Sequence, residues 1–121
     1  MGKFVIKESD AGFHFNLVAD NGQIIGSSEK YKSEASCRDG IDSVRRSSVG
    51  EIEDQTVEGF AAVKHPKFEV YTDKSGKFRF RLKARNGEII LPSQAYGDKA
   101  ACLAGIESVK AGAPEAPVEK E

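Results

Sequence analysis

The chain has 121 residues, 39% of them hydrophobic and 31% charged, a composition typical of one soluble globular domain. Eighteen basic residues nearly balance nineteen acidic ones, so the net charge indicates no class of partner. No apolar run reaches the ~18–20 residues of a membrane-spanning helix, and the short apolar run at the N-terminus does not predict a signal peptide. Two cysteines are too few for a disulfide-stapled secreted domain. We therefore expect a cytoplasmic protein with no membrane partner.

An internal repeat organises the chain. Residues 13–45 match the residues 65 positions downstream without a gap, with 16 identities in 33 positions, where chance would give about two. We predict repeat 1 over residues 3–46, a linker over 47–66 and repeat 2 over 67–110, all in one domain spanning 1–110. The residues after 110 are rich in proline and glutamate, which predicts a disordered tail over 111–121.

Each copy has the same predicted elements. In the second copy, apolar and polar residues alternate over 68–73 and again over 78–85, which predicts two strands, each with one apolar face. Asn86-Gly87, like Asn21-Gly22 in the first copy, predicts a hairpin turn with positive φ. A short third strand follows at 89–91. Each copy is therefore predicted to contain three β-strands, and the helical spacing of the later apolar residues predicts an α-helix after them.

The helices have recognisable starts and one unusual feature each. Ser33 and Asp98 are suitable N-caps, because their side-chain oxygens can accept from free backbone N–H groups. Gly40 and Gly105 stand mid-helix on the apolar face, where glycine costs about 1 kcal/mol relative to alanine. We expect the helix to lie so close to the sheet there that a side chain would clash.

The second copy, with its run from Gly76 to Ala84, Asn86-Gly87 and the segment from Ala100 to Val109, resembles the YegP-like family of small bacterial proteins. The resemblance covers both copies. It implies an α+β fold in which two β-β-β-α units form one antiparallel sheet, with two packed helices exchanged between units. Because one unit of about 45 residues buries too little surface to stand alone, we expect a monomer with an internal pseudo-twofold axis. The family is functionally uncharacterised, so the resemblance implies no catalytic residue and no cofactor.

A basic stripe is the clearest functional candidate. Its four cations alternate along one strand face, and none of them is conserved in the first copy. They are Arg79, Arg81, Lys83 and Arg85. One interpretation is a site for nucleic acid or another anionic ligand, with Tyr71 as a stacking surface. The alternative is a sheet face whose charges pair with Glu69 and Asp73 on the neighbouring strand.

The other reactive residue types give no catalytic pattern. Cys37 and Cys102 lie on the apolar faces of their helices, where free cysteine acts as a small hydrophobe. His14 and His65 lack the spacing of metal ligands or of a nucleophile–base pair. We therefore expect no metal site and no enzymatic activity. The sequence predicts a binding or structural module, with anionic-ligand binding as the alternative.

Overall fold

Each copy of the repeat forms three antiparallel strands and a helix, as the sequence predicts. The computed structural model describes residues 2–121. The first copy contains β1 (Lys3–Ser9), β2 (Gly12–Val18), β3 (Ile24–Ser27), α1 (Glu34–Ser47) and a further strand, β4 (Glu51–Asp54). The second contains β5 (Lys67–Thr72), β6 (Phe78–Lys83), β7 (Ile89–Pro92), α2 (Lys99–Gly112) and β8 (Val118–Lys120). The described chain is thus two β-β-β-α-β units of an α+β fold.

The strand after each helix completes the sheet of the other unit. β4 pairs in parallel with β5, with Glu51 opposite Lys67. β8 pairs in parallel with β1, with Val118 opposite Phe4. Two four-stranded mixed sheets result, in the orders β3-β2-β1-β8 and β4-β5-β6-β7. The prediction of one antiparallel sheet was therefore wrong, because it assigned no strand to the segments that follow the helices.

The two sheets meet at the β3 and β7 edges. Gly26 forms an isolated antiparallel bridge with Ser93, and the amide of Gln94 donates to the carbonyl of Ile25 with an N···O distance of 3.1 Å. A single bridge is too short to make one continuous hydrogen-bonded ladder. The core nevertheless contains residues of both units, including Phe4, Phe15, Phe68, Phe80, Ile41 and Ile106.

A glycine in each helix allows that helix to pack closely against the sheet of its own unit. A Cβ atom at Gly40 would lie 3.2 Å from the ring of Phe15 and 2.5 Å from the hydroxyl of Tyr31, so only glycine fits without rearrangement. Gly105, Phe80 and Tyr96 occupy the equivalent places in the second unit. This packing confirms the predicted close approach, and α1 also reaches β6 and β7. The exchange that the sequence analysis assigned to the helices is made by β4 and β8.

The predicted linker contains β4 and folds back against it. The backbone amide of Val63 donates to Oε2 of Glu53 with an N···O distance of 2.8 Å, and the amide of Gln55 donates to the carbonyl of Val70 at 2.8 Å. The segment 47–66 therefore contributes an edge strand and a loop tied to that strand.

The predicted disordered tail is ordered in the structure. After α2 the chain makes a 3₁₀ turn at Ala113–Glu115 and then enters β8. Ala113 and Ala116 are buried, and the amide of Phe4 donates to the carbonyl of Pro117 with an N···O distance of 2.8 Å. The prediction of disorder was wrong because it rested on local composition, whereas the order of this segment comes from pairing with β1 at the other end of the chain.

The Asn-Gly turns differ in type from a two-residue hairpin turn. The amide of Ala19 donates to the carbonyl of Gln23 (2.8 Å), and the amide of Gly22 donates back to the carbonyl of Ala19 (2.9 Å). Gly22 alone has positive φ, at 85°, while Asn21 accepts from the amide of Gln23 through its side chain. These contacts describe a three-residue loop closed by a left-handed glycine. Ala84, Asn86, Gly87 and Glu88 repeat it in the second unit.

Each exchanged strand is also linked to the start of the other unit's helix by an ion pair. Lys120 of β8 lies 2.8 Å from Glu34 of α1. Asp54 of β4 pairs with Lys99 of α2. The two pairs occupy equivalent places with the charges reversed, so the duplication has kept the link while exchanging its polarity.

We expect both thiols to react slowly in the native protein. Cys37 and Cys102 are fully buried beneath their helices, and burial raises the pKa of each thiol, that of Cys102 to about 11. A buried and protonated thiol is a poor nucleophile. Labelling with an aromatic disulfide reagent should be slow in buffer and fast in denaturant. Rapid labelling of the folded protein would contradict the assignment of these residues to the core.

Candidate anion-binding site

Three of the four cations of the basic stripe are already paired. They lie on the face of β6 that points away from the helices. Nε of Arg79 donates to Oδ2 of Asp73 (2.7 Å), and Nε of Arg81 donates to Oε1 of Glu69 (2.6 Å). Nζ of Lys83 lies 3.2 Å from the same oxygen of Glu69. The alternative interpretation, that these charges pair with the neighbouring strand, is confirmed for these three residues.

Glu69 and a second carboxylate, Glu53, are buried and linked by a lysine. Nζ of Lys67 donates to Oε2 of Glu53 (2.7 Å) and lies 3.1 Å from Oε2 of Glu69. The side chains of Glu53 and Glu69 are only 3% and 4% exposed. Hydrogen bonds from Lys67, Gln55 and the amide of Val63 lower the pKa of Glu53 to about 2. The charged side chains on this face therefore form a network in which nearly every charge has a partner of opposite sign.

The same network also shifts the pKa of Glu69 and that of Lys67. Burial opposes the ionised form of Glu69, but hydrogen bonds from Arg81, Lys67 and Lys83 outweigh it and lower the pKa of this carboxyl. The hydrogen bond to Glu53 raises the pKa of Lys67, against the opposing effect of burial. The charged form of each group is thus the one that the fold stabilises.

One face of Tyr71, considered as a stacking surface, is covered by Arg81. The guanidinium carbon of Arg81 lies 4.3 Å from the centre of the Tyr71 ring. This cation–π contact occupies a face that a nucleobase would need.

The equivalent face of the first unit has a different, weaker set of contacts. Oδ1 of Asn16 accepts from the hydroxyl of Ser27 (2.6 Å), and Nδ1 of His14 lies 3.4 Å from Nζ of Lys30. Burial, with Lys30 and Lys7, lowers the pKa of His14 and so disfavours a positive charge on the imidazole.

Arg85 stands apart from the other three cations. β6 ends at Lys83, so Arg85 lies in the turn before β7 and is exposed. This turn and the last two turns of α1 enclose a cleft of about 340 Å³. Its lining includes Ser43, Arg46 and Ser47 from the helix and Arg85 and Asn86 from the turn. Among residues 2–121, neither arginine has an acidic partner.

A second cleft of the same construction lies between α2 and the β2–β3 turn. It encloses about 440 Å³. Relative to the first cleft, Asp20 replaces Arg85, Ala111 replaces Arg46, Gly112 replaces Ser47, and Asn21 and Ser108 are retained. The clefts share an architecture and differ in charge. The fold itself therefore does not require the two arginines.

Sequence reasoning identified Arg85 but missed Arg46. The two residues belong to different repeats, and only the packing of α1 beside the β6–β7 turn brings them together. One signal in the sequence could have found Arg46, since it is a cation where the other copy has Ala111.

Other kinds of site find no support in the described part of the chain. Within residues 2–121, no group of three or more His, Cys, Asp and Glu side chains is arranged to hold a metal ion. Over the same range, no helix has the length and hydrophobicity needed to span a membrane.

Comparison with known proteins places the chain in a family. A family model described as "Domain of unknown function (DUF1508)" matches it twice, over residues 8–54 and 73–119. The chain belongs to this family. Both DUF1508 matches continue past the helix into β4 and β8, so the family unit includes the strand that is exchanged.

DUF1508 relatives occur with one unit and with two. UPF0339 protein PA0329 of Pseudomonas aeruginosa is 42% identical over 120 residues, which cover 98% of this chain and 96% of the relative. A UPF0339 protein of Treponema denticola is 65% identical over 52 residues, which cover 43% of this chain but 90% of the relative. The second relative is therefore about one unit long.

A solved structure has the same fold. The solution NMR structure of YegP from Escherichia coli, described as a protein of unknown function, matches with a TM-score of 0.80 and 36% identity. The match covers 99% of this chain and 92% of that one. The resemblance to the YegP-like family is thereby confirmed. None of these three relatives has a description that states an activity.

Proposed function

We propose that this protein is a binding module for anionic ligands and performs no catalysis of its own. The supporting observation is the cleft between α1 and the β6–β7 turn. Arg46 and Arg85, which belong to different units, both line it, and none of the described residues that line it is acidic. Arginine presents a planar set of donors that matches anionic oxygens, and an arginine without an acidic partner retains its full charge for a ligand.

The distribution of charge along the chain supports the same proposal. Residues 67–110 contain nine basic and five acidic residues, whereas residues 3–46 contain seven of each. The second unit therefore attracts anions more than the first unit does. A polyanion lying along the whole stripe would have to compete with Asp73 and Glu69 for Arg79 and Arg81. We therefore assign the contact to the Arg85 end.

We also propose that the binding module is a monomer. β4 and β8 find their partner strands within the same chain, so each sheet is complete without a second copy. A single-unit relative has only one exchanged strand, and would need a second copy to reproduce this arrangement.

Replacing Arg85 by alanine should abolish most anion binding. Binding at low ionic strength should raise the melting temperature of the wild type in sulfate, phosphate, citrate or heparin, and added NaCl should reduce that shift. Because a hydrogen bond to a charged group contributes about 1.5–3 kcal/mol, we expect Arg85→Ala to bind tenfold or more weakly. Thermal shift and calorimetric titration measure both effects.

Arg38→Ala is the matched control. Arg38 is also on α1, but it pairs with Glu34 outside the cleft, so its loss should leave anion binding unchanged. A wild type that no anion stabilises would overturn the proposed function. Equal weakening in Arg38→Ala and Arg85→Ala would show a general charge effect and not a site.

A further inference from the structure

We infer that the cleft between α1 and the β6–β7 turn holds the phosphate group of a small phosphomonoester. This inference rests on the proposed anion-binding function and names its ligand class.

The donors in the cleft suit a group with two negative charges. Besides Arg46 and Arg85, the cleft is lined by the hydroxyl-bearing residues Ser43 and Ser47. Ser47 is only 4% exposed. A phosphomonoester presents three terminal oxygens and up to two negative charges, so it can engage two guanidinium groups and a hydroxyl at once. A carboxylate has two oxygens and a single negative charge, so it balances the charge of only one of the two arginines.

The size of the cleft favours a small ligand. Its volume of about 340 Å³ is at the lower end of the range for small-molecule sites, which starts near 300 Å³. A nucleic-acid strand would instead need a continuous surface with exposed cations and aromatic rings. Next to the cleft, the cations of β6 are paired, and Arg81 covers Tyr71. Of the four cations of the basic stripe, the one unpaired within residues 2–121 is therefore Arg85, which lines the cleft.

The end of α1 does not oppose an anion as strongly as a bare helix C-terminus would. Free carbonyls at a helix end carry partial negative charge. Here the carbonyl of Val44 accepts from the amide of Ser48, that of Arg45 accepts from the Ser48 hydroxyl, and that of Ser47 accepts from the amide of Gly50. Local donors thus occupy three of the last four carbonyls of α1.

The second cleft provides an internal comparison. It has the same turn and the same helix end, but Asp20 and Ala111 replace the two arginines, and Gly112 replaces Ser47. If the donors decide binding, a phosphate should occupy the first cleft and leave the second empty in the same molecule.

The test is an NMR titration of the ¹⁵N-labelled full chain at low ionic strength. The probes are inorganic phosphate and glycerol 3-phosphate, with citrate and glycerol as comparison compounds. We expect saturable shifts of the amides of Arg46, Ser47, Asn86 and Gly87 with both phosphates. The equivalent amides of the second cleft, those of Ala111, Gly112, Asn21 and Gly22, should not move. Citrate should bind at least tenfold more weakly, and glycerol should not bind.

Variants separate the inference from the proposed function. Arg46→Ala and Arg85→Ala should each weaken phosphate binding about tenfold or more, and Ser47→Ala should weaken it less. Arg46 and Arg85 are exposed, so these variants should fold like the wild type. If citrate binds at the cleft and the phosphates do not, the ligand class is wrong and anion binding stands. If none of these anions binds, both proposals fail. Phosphate binding that survives in both arginine variants would place the site elsewhere.

Discussion

Lys67→Met is expected to destabilise the protein by about 3–5 kcal/mol, the usual cost of removing one partner from a buried ion pair. Nζ of Lys67 lies between the buried carboxylates of Glu53 and Glu69, at 2.7 and 3.1 Å. Methionine has a similar length but no charge, so Glu53 would keep only Gln55 and the amide of Val63 as hydrogen-bond donors. Urea denaturation measures the change in the free energy of unfolding.

The repeat offers a matched control at the equivalent position. Lys3 pairs with Glu119, and both side chains are largely exposed, at 43% and 57%. Exposed pairs contribute ~0–1 kcal/mol, so Lys3→Met should change stability by less than about 1 kcal/mol. Equal small effects of the two substitutions would show that the charge network on the second sheet contributes no more than a surface pair.

The pH dependence of the free energy of unfolding provides a second test of the role of Lys67. The pKa of Glu53 is lowered to about 2, from an ordinary value near 4.5. A carboxyl with a lowered pKa stabilises the native state fully above its unfolded pKa, and this stabilisation is lost as the pH falls toward 2. Since Lys67 is the largest cause of the shift, Lys67→Met should lose less stability than the wild type between pH 5 and pH 2.

A chain that ends at Gly112 is expected to be less stable than the full chain by roughly 3 kcal/mol or more. The deletion removes β8 and the buried residues Ala113 and Ala116, and it exposes the edge of β1. It also removes the hydrogen bond from Nη2 of Arg45 to the carbonyl of Ala116 (2.6 Å). Each such hydrogen bond contributes about 0.5–1.5 kcal/mol, and the lost apolar burial adds to the sum.

Glu119→Gln is the control for this deletion. It keeps the backbone of β8 in place and removes only the exposed pair with Lys3, so the unfolding midpoint should hardly change. Circular dichroism during urea denaturation compares the three proteins. A truncated chain with the stability of the full chain would mean that residues 113–121 behave as the disordered tail that their composition predicted.

Because Arg79 and Arg81 belong to the charge network, substitutions of these residues would alter stability as well as any anion binding. Considered as exposed cations, Arg79 and Arg81 could be replaced by glutamate with little effect on stability. Because Arg81 donates to buried Glu69, a glutamate there would set two carboxylates against each other. The cleft arginines are the better choice for binding experiments, since they lie outside this network.

The sequence by itself determined the local elements and their order. The repeat, the alternation along the strands, the Asn-Gly turns and the caps at Ser33 and Asp98 depend on residues close together in the chain, and the structure contains all of them. The sequence also indicated the reason for glycine at positions 40 and 105, which is the close approach of each helix to its sheet. These features follow from backbone geometry and side-chain spacing, which any short segment carries within itself.

Only the tertiary structure decided the strand exchange and the candidate site. β4 and β8 are four and three residues long and rich in charged residues, and they become strands because β5 and β1 offer unpaired edges. Arg46 and Arg85 are 39 positions apart in the sequence and meet because α1 ends beside the turn of the other unit. Buried Glu53 joins Lys67 through the same exchange. Such contacts depend on which distant segments come together in the fold, and no local sequence pattern contains that information.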